Sequence, residues 1–330
     1  MRRFKNILCV VISEQAYKPA LQRAVALAEQ NQARLTVVDV IEPVSLASNL
    51  PYEGLSREDF QAALLRFHDK RLATLLAPYR EHFEIQHRVL EGPLFLAIIR
   101  EVLRHHYDLV IKVTETQDWL TRLFGSDDMH LLRKCPSPVW LIKPTSPPSY
   151  QHILAAIDVE DDDSAPAKKA EQQHALSKQI LQMASALALS NSAKLSIVHV
   201  WEAFGEGVMR GGLISTPQEK VNAYIEQVRR QHQTRVDQLI AEMATNVGVD
   251  SMKRLKPQLN LLKGGARREI PLLAKNIDAD LLVMGTVART GIPGFIMGNT
   301  AESILNQIDC SVIAIKPSGF VSPVTLEGNG

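Results

Sequence analysis

The run Met284-Gly285-Thr286-Val287-Ala288-Arg289-Thr290-Gly291-Ile292-Pro293-Gly294-Phe295-Ile296-Met297-Gly298-Asn299-Thr300 holds the residue types best suited to gripping an anion. Glycine accepts positive φ and lets a ligand approach the backbone closely. Gly298 stands directly before a helical pattern, Ala301 to Leu305, where unpaired N–H groups and the helix dipole favour negative charge. Asn299 and Thr300 add capping and ligand-facing polar groups. A glycine-rich run also serves simply to turn a chain, so a phosphate loop and a plain connection both fit.

Other chemistry-bearing groups have simpler readings. Glu160-Asp161-Asp162-Asp163 offers the carboxylate oxygens that Mg²⁺ takes, and it equally suits a solvated acidic turn. His105 and His106 are adjacent, so on a helix they point apart; they favour the negative end of its dipole. Arg267-Arg268 opens a helical segment and reads as solvated. Cys9 in an apolar run and Cys135 before Pro136 have no activating base beside them and read as packed, inert thiols. No His-x-Gly-His or Ser-Gly-Gly-x-Asp-Ser loop occurs, and no Ser-His-Asp or Cys-His grouping is readable. Those absences argue against a nucleotidyl transferase, an ATP pyrophosphatase or a dedicated hydrolase.

Composition sets the frame for these residues. The chain has 330 residues, and 37 Lys+Arg against 36 Asp+Glu leave a net charge of +1. That balance excludes a strongly basic nucleic-acid binder and a polybasic membrane-surface protein. With 45% hydrophobic and 22% charged residues the chain can bury a full core, and its length suggests two domains. Aromatic residues, at 5%, are too sparse for a base-stacking platform. Ile7 to Ile12 is too short for a signal segment, and no run reaches the roughly 18 residues of a membrane span. Three scattered cysteines make neither a disulfide framework nor a zinc site. The expected location is the cytoplasm.

The elements that must position the glycine run emerge from an internal repeat. Ile7-Leu8-Cys9-Val10-Val11-Ile12 is echoed by Ile153-Leu154-Ala155-Ala156-Ile157-Asp158, and Asn31 to Val40 by Asn191 to Val200. Glu91-Gly92-Pro93 matches Lys263-Gly264-Gly265, Asp108 to Ile111 matches Asp280 to Val283, and Val139 to Pro144 matches Val312 to Pro317. The order is kept while the spacing lengthens, so the second copy is the same unit with longer loops. Apolar runs without alternation read as strands covered on both faces. Between them lie helices, one opening at Ser56 with Asp59 three residues on, and its counterpart from about Pro217. Each copy is thus βαβαβαβαβ: an α/β fold of two tandem, doubly wound, five-stranded parallel sheets, Rossmann-like in type. The expected domains are 1–146 and 150–317, joined by the stiff linker Thr145-Ser146-Pro147-Pro148-Ser149, with 318–330 as a loosely ordered tail. In such sheets ligands sit beyond the carboxyl ends of the strands at the topological switch point. His199 then falls in a strand as a packed histidine, with Asp39 at its place in the first copy.

These residues carry a resemblance. A GxxG pair followed nine residues later by Gly-Ser/Thr resembles the universal stress protein pattern, and both repeats fit that family's domain. His130 to Trp140 and Gly298-Asn299-Thr300-Ala301-Glu302 resemble its tandem-domain branch. The resemblance implies an adenine-nucleotide α-hydrolase-like fold, a non-catalytic stress-response role, and ATP or a related adenine nucleotide, with Mg²⁺, in the second copy. It implies that Asp158 sits near adenine or ribose, that Val200 meets adenine through its backbone, and that Met284 and Gly285 lie under the nucleotide. Gly298 would belong to the phosphate clamp with Asn299 and Thr300. Ala288 replaces the second glycine of GxxG, and Asn299 replaces the usual Ser/Thr. In the first copy Ile12, Lys112, Val113 and Thr116 stand for Asp158, Met284, Gly285 and Ala288, and Gly125-Ser126 is followed by Asp127-Asp128. That copy is expected to bind no ATP and to act as a structural partner. The family's pairing through its last strand implies that Pro138–Lys143 and Ser311–Lys316 join the copies into an intramolecular pseudo-two-fold dimer, with homo-oligomers open. The competing reading is an apolar or lipid-like ligand, or a protein partner, on a repurposed loop. It draws on Ala288, Ile292, Phe295, Ile296, Met297 and the insertion Phe204 to Leu213.

Overall fold

The computed structural model describes residues 4–12, 17–44, 56–81, 83–114, 127–159, 167–211, 216–286 and 297–326. In the first half, strands β1 (Asn6–Val10), β2 (Arg34–Ile41), β3 (Ile85–Glu91), β4 (Leu109–Val113) and β5 (Val139–Ile142) alternate with α1 (Lys18–Asn31), α2 (Arg57–Arg80), α3 (Leu94–His105) and α4 (Asp127–Lys134). The second half repeats this with β6 (His152–Ala156), α5 (Ala167–Asn191), β7 (Lys194–Trp201), α6 (Glu206–Arg210), α7 (Gln218–Val247), α8 (Val249–Leu255), β8 (Gln258–Lys263), α9 (Ala266–Asn276), β9 (Leu281–Gly285), α10 (Asn299–Leu305) and β10 (Ser311–Ile315). Among the described residues the expected four helices become six there. α6 lies in the insertion after β7, and Gly248, at φ 90°, breaks α7 from α8.

The two expected five-stranded sheets are one sheet of ten strands, ordered β3-β2-β1-β4-β5-β10-β9-β6-β7-β8. Every pairing is parallel except β5 with β10, which run antiparallel with Trp140 opposite Ile313. The order reads alike from either end, so the pseudo-two-fold join expected from the last strands is present. Successive strand residues point to opposite faces. Ile7, Cys9, Ile153 and Ala155 pack under α1, α2, α5 and α7, whereas Leu8, Val10, Leu154 and Ala156 pack under α3, α4, α9 and α10. With helices on both faces the inner strands are largely apolar, whereas the edge strands β3 and β8 carry polar residues such as Gln86, Arg88, Gln258 and Asn260.

Local signals position the helices. Ser56 Oγ accepts the Asp59 N–H at 3.0 Å, capping α2 as expected. Gly92 (φ 127°) and Gly264 (φ 139°) turn the chain from β3 into α3 and from β8 into α9. This backbone demand explains the repeated glycine. The linker is held to both halves: Ser146 Oγ meets Ser311 Oγ at 3.0 Å, and Arg23 Nη2 donates to the Pro147 carbonyl. The tail expected to be loosely ordered is docked on the first half as far as residue 326. Ser322 Oγ donates to Lys134 O (2.7 Å), Arg100 Nε donates to Thr325 O (3.3 Å), and Val324 packs into the core beneath α3 and α4. Among the described residues no helix is long and apolar enough to cross a membrane.

Candidate functional site: a strand-end cleft in the second half

In the second half β6 and β9 are neighbours, and the chain winds away from them in opposite directions, which opens a crevice at their carboxyl ends. A cleft of about 610 Å³ fills that crevice, within the usual range of small-molecule sites. Seven of the eight residues singled out from the sequence line it: Asp158, Val200, Met284, Gly285, Gly298, Asn299 and Thr300. Ala288, the acidic run 160–163 and the apolar residues 292, 295 and 296 lie outside the described residues.

Each wall has a local cause. The backbone of Asp158 is clamped by Ser177 of α5, whose Oγ accepts the Asp158 N–H (3.2 Å) and donates to its carbonyl (2.7 Å). The neighbouring Ile157 carbonyl can only accept, so His199 Nδ1, 3.3 Å away, carries its proton towards it. His199 Nε2 is then left to accept from Nδ1 of His232, at 2.9 Å. Both imidazoles are buried beneath the Asp158 end of β6. Burial, together with the neighbouring imidazole and Arg235, pushes the His232 pKa down to about 4, against a smaller opposing pull from Asp158. Burial lowers His199 as well.

Gly285 lies in close contact with α5. A Cβ there would stand 2.8 Å from Leu176 Cδ2, so α5 lies flush on β9 and brings Leu176 and Ile180 to the cleft wall. Gly298 sits at φ −61°, a conformation open to any residue, and donates its N–H to Thr286 O at 3.0 Å. That N–H is therefore engaged. Asn299 and Thr300 are exposed at the mouth, and no side chain caps α10. The capping role expected for these two residues is not taken up, because the cap position is held by Gly298, which has no side chain, and both fall within the first turn. Their own N–H groups fall in the first turn, which has no intrahelical acceptor. Arg267, expected to be merely solvated, is exposed and also lines the cleft, as does Glu202. Among the described residues no group of three or more His, Cys, Asp and Glu is placed for a metal ion.

The matching place in the first half is filled by the protein itself. Lys112, at the position of Met284, is fully buried and donates to Asp128 Oδ1 of α4 at 2.8 Å and to Val113 O at 3.1 Å. Asp39 there takes the place of His199 and is bound by His68 Nδ1 (2.6 Å) and Arg71 (2.5 Å) of α2. Cys9, Cys135 and Cys310 are free and buried, and burial pushes each thiol up to about 12, so the inert reading of the first two holds.

A profile of the "Universal stress protein family" matches residues 3–143 and again residues 149–316. The chain belongs to the universal stress protein family. It is 28% identical over 333 residues to universal stress protein E of Escherichia coli K12, covering 99% of this chain and 98% of that one. It is equally 28% identical over 323 residues to a universal stress protein E homolog of Haemophilus influenzae, covering 96% and 98%. The crystal structure of a Pseudomonas aeruginosa chain that carries the same family name superposes with a TM-score of 0.67 over 97% of this chain and 95% of that one, at 24% identity, which shows the shared fold. The resemblance read from the motifs is therefore correct at the level of family, tandem architecture and fold.

Sequence reasoning missed Ser177, His232 and Leu176. Ser177 is a serine inside a helix and His232 one of several polar residues along α7. Nothing in their local spacing marks them, because their roles come from partners 19 and 33 residues away. Lys112 did carry a signal, as a charge within an apolar strand.

Proposed function

We propose that this protein acts by binding rather than by catalysis, as a stress-response module, and that the cleft of its second half takes an adenine nucleotide. The observation that carries the reading is that seven positions expected at the site, drawn from four segments of chain, line one cleft at the switch point. Asp158 offers a carboxylate for ribose hydroxyls, and Val200 and Met284 offer apolar contact for the base. The first-turn N–H groups of Asn299 and Thr300 and the Arg267 guanidinium offer donors for phosphate. A bound triphosphate would carry Mg²⁺ on its own phosphate oxygens. The first half, with Lys112 and Asp128 in the equivalent place, serves as the structural partner.

Calorimetry with ATP and Mg²⁺ on the wild type and on Gly298→Arg tests this. One site per chain is expected in the wild type, with binding weakened at least tenfold in the variant; equal affinity in both sinks the assignment. One observation favours a second reading, an apolar ligand: Leu176, Ile180, Ile270 and Ile304 give the cleft a long apolar wall. Native mass spectrometry of the protein as purified from cells separates the two, by the mass of a nucleotide or of a lipid-like molecule carried with the chain.

A further inference from the structure

A second cavity, of about 350 Å³, lies on the seam between the halves and shares no lining residue with the cleft. α1 and α5 form its walls, Trp140 of β5 lines it, and Pro147 and Pro148 of the linker border it. Arg23 of α1 is its central charge. Its guanidinium carbon lies 3.7 Å from the centre of the Tyr150 ring and 5.9 Å from that of Trp140, and one N–H is spent on the Pro147 carbonyl. Trp140 Nε1 in turn donates to Tyr150 Oη at 3.2 Å, which fixes the aromatic pair on which the arginine rests. A guanidinium has five N–H donors, so a held, stacked fork with one acceptor keeps donors to offer.

Among the described residues no carboxylate lies within ion-pair distance of Arg23. Burial disfavours its charge, and the nearest opposing influences are Tyr150, whose own phenol is kept neutral by burial, and Asp280. A half-buried cation without an anion is costly, and a bound anion removes that cost. The repeat isolates the feature. Arg23 corresponds to Met183 in the second copy, a fully packed apolar residue, and Trp140 corresponds to Ile313. The shared fold therefore does not require an arginine on aromatic rings at this position.

We propose that the seam cavity binds a small organic monocarboxylate with an apolar body, its carboxylate received by the open edge of Arg23. A single charge is indicated because no lysine and no second arginine lines the cavity. An apolar body is indicated because Ala26, Leu27, Leu187 and Pro148 flank it. Gln22 and Gln30, whose amides make no hydrogen bond among the described residues, offer donors at the rim. The pairing is planar, the geometry in which arginine takes carboxylate bidentately. This site is independent of the nucleotide reading above.

Titrating the whole protein with octanoate and benzoate, by calorimetry and tryptophan fluorescence, tests it, with octanol and benzyl alcohol as uncharged counterparts. Saturable binding of at least one acid is expected, and Arg23→Met, which installs the second copy's own residue, weakens it by about tenfold to hundredfold, as for the loss of a charged hydrogen bond. Ala26→Trp fills the cavity from an exposed helix position and abolishes binding, while Gly298→Arg leaves it unchanged. The proposal fails if neither acid binds saturably, if Arg23→Met or Ala26→Trp binds as the wild type does, or if the alcohols bind as well as the acids.

Discussion

Lys112 and Asp128 occupy, in the first half, the places that Met284 and Ala301 hold in the second. The ion pair is nearly solvent-free, with side chains 1% and 4% exposed. Two buried charges repay their desolvation poorly, yet removing one of them strands the other. Lys112→Met and Asp128→Ala, each alone, are therefore expected to cost about 3–5 kcal/mol in urea unfolding. The double variant, which installs the second half's residues, is expected to recover most of that loss, with a coupling energy of order kcal/mol in the double-mutant cycle. Additive losses would show that the pair does not act as a unit. The sequence displayed the lysine openly, because it breaks the otherwise apolar strand Leu109–Val113. Its partner was legible only as a departure from the clamp, since distance in the chain hides which carboxylate a buried amine will meet.

At the scale of elements, β7 and α7 are joined by the His199–His232 hydrogen bond, where β2 and α2 use Asp39 with His68 and Arg71. Exchanging a carboxylate for an imidazole changes how the join responds to acid. His232 titrates near 4 in the folded chain and near 6.5 when unfolded. Between those values the unfolded chain takes up a proton that the native one refuses, so stability falls as pH falls through that window, by on the order of 3 kcal/mol from this residue. Below about 4 its contribution is flat. Denaturation midpoints across pH 4–7 for wild type and His232→Gln should show a shallower acid slope in the variant; parallel slopes would remove the residue from the account. The ten strands and the longer helices were readable from apolar periodicity and turn residues, down to the Ser56 cap, whereas the short helices α6 and α8 were not. What stayed illegible were the contacts between elements, such as Ser177 on the Asp158 backbone, because a mid-helix serine has the same sequence whether it faces water or a strand end.

Across the whole molecule, each last strand is followed by a Lys-Pro pair, and each lysine reaches into the other half, Lys143 to Asp309 and Lys316 to the Leu132 carbonyl, while Lys316 also donates to Thr286 Oγ1 of its own half. Arg133 adds a 2.6 Å bridge to Glu302, and the tail ties the end of the second half to α3 and α4. A chain stopped at Pro317 loses the Ser322 and Thr325 hydrogen bonds and the Val324 packing. Its unfolding free energy should drop by about 1–3 kcal/mol in urea titrations; an unchanged value would make the tail an ornament rather than a strap. The two-copy plan was legible because the repeat is strong, and the pairing of the last strands was expected from the family resemblance rather than from the repeat. That this pairing fuses the halves into one sheet, and that the tail docks on the first half, no local pattern shows. The β5–β10 seam also has a meaning in time. β5 is made early in synthesis, yet its neighbour emerges only after the whole second half, and at about 5–20 residues per second that leaves its edge bare for on the order of ten seconds or more. During that interval Val139–Ile142 is an open, wholly apolar strand edge on a nascent protein. Ribosome pausing, chaperone supply and the crowding of neighbouring nascent chains therefore bear on whether this strand waits for its own partner or takes another copy's.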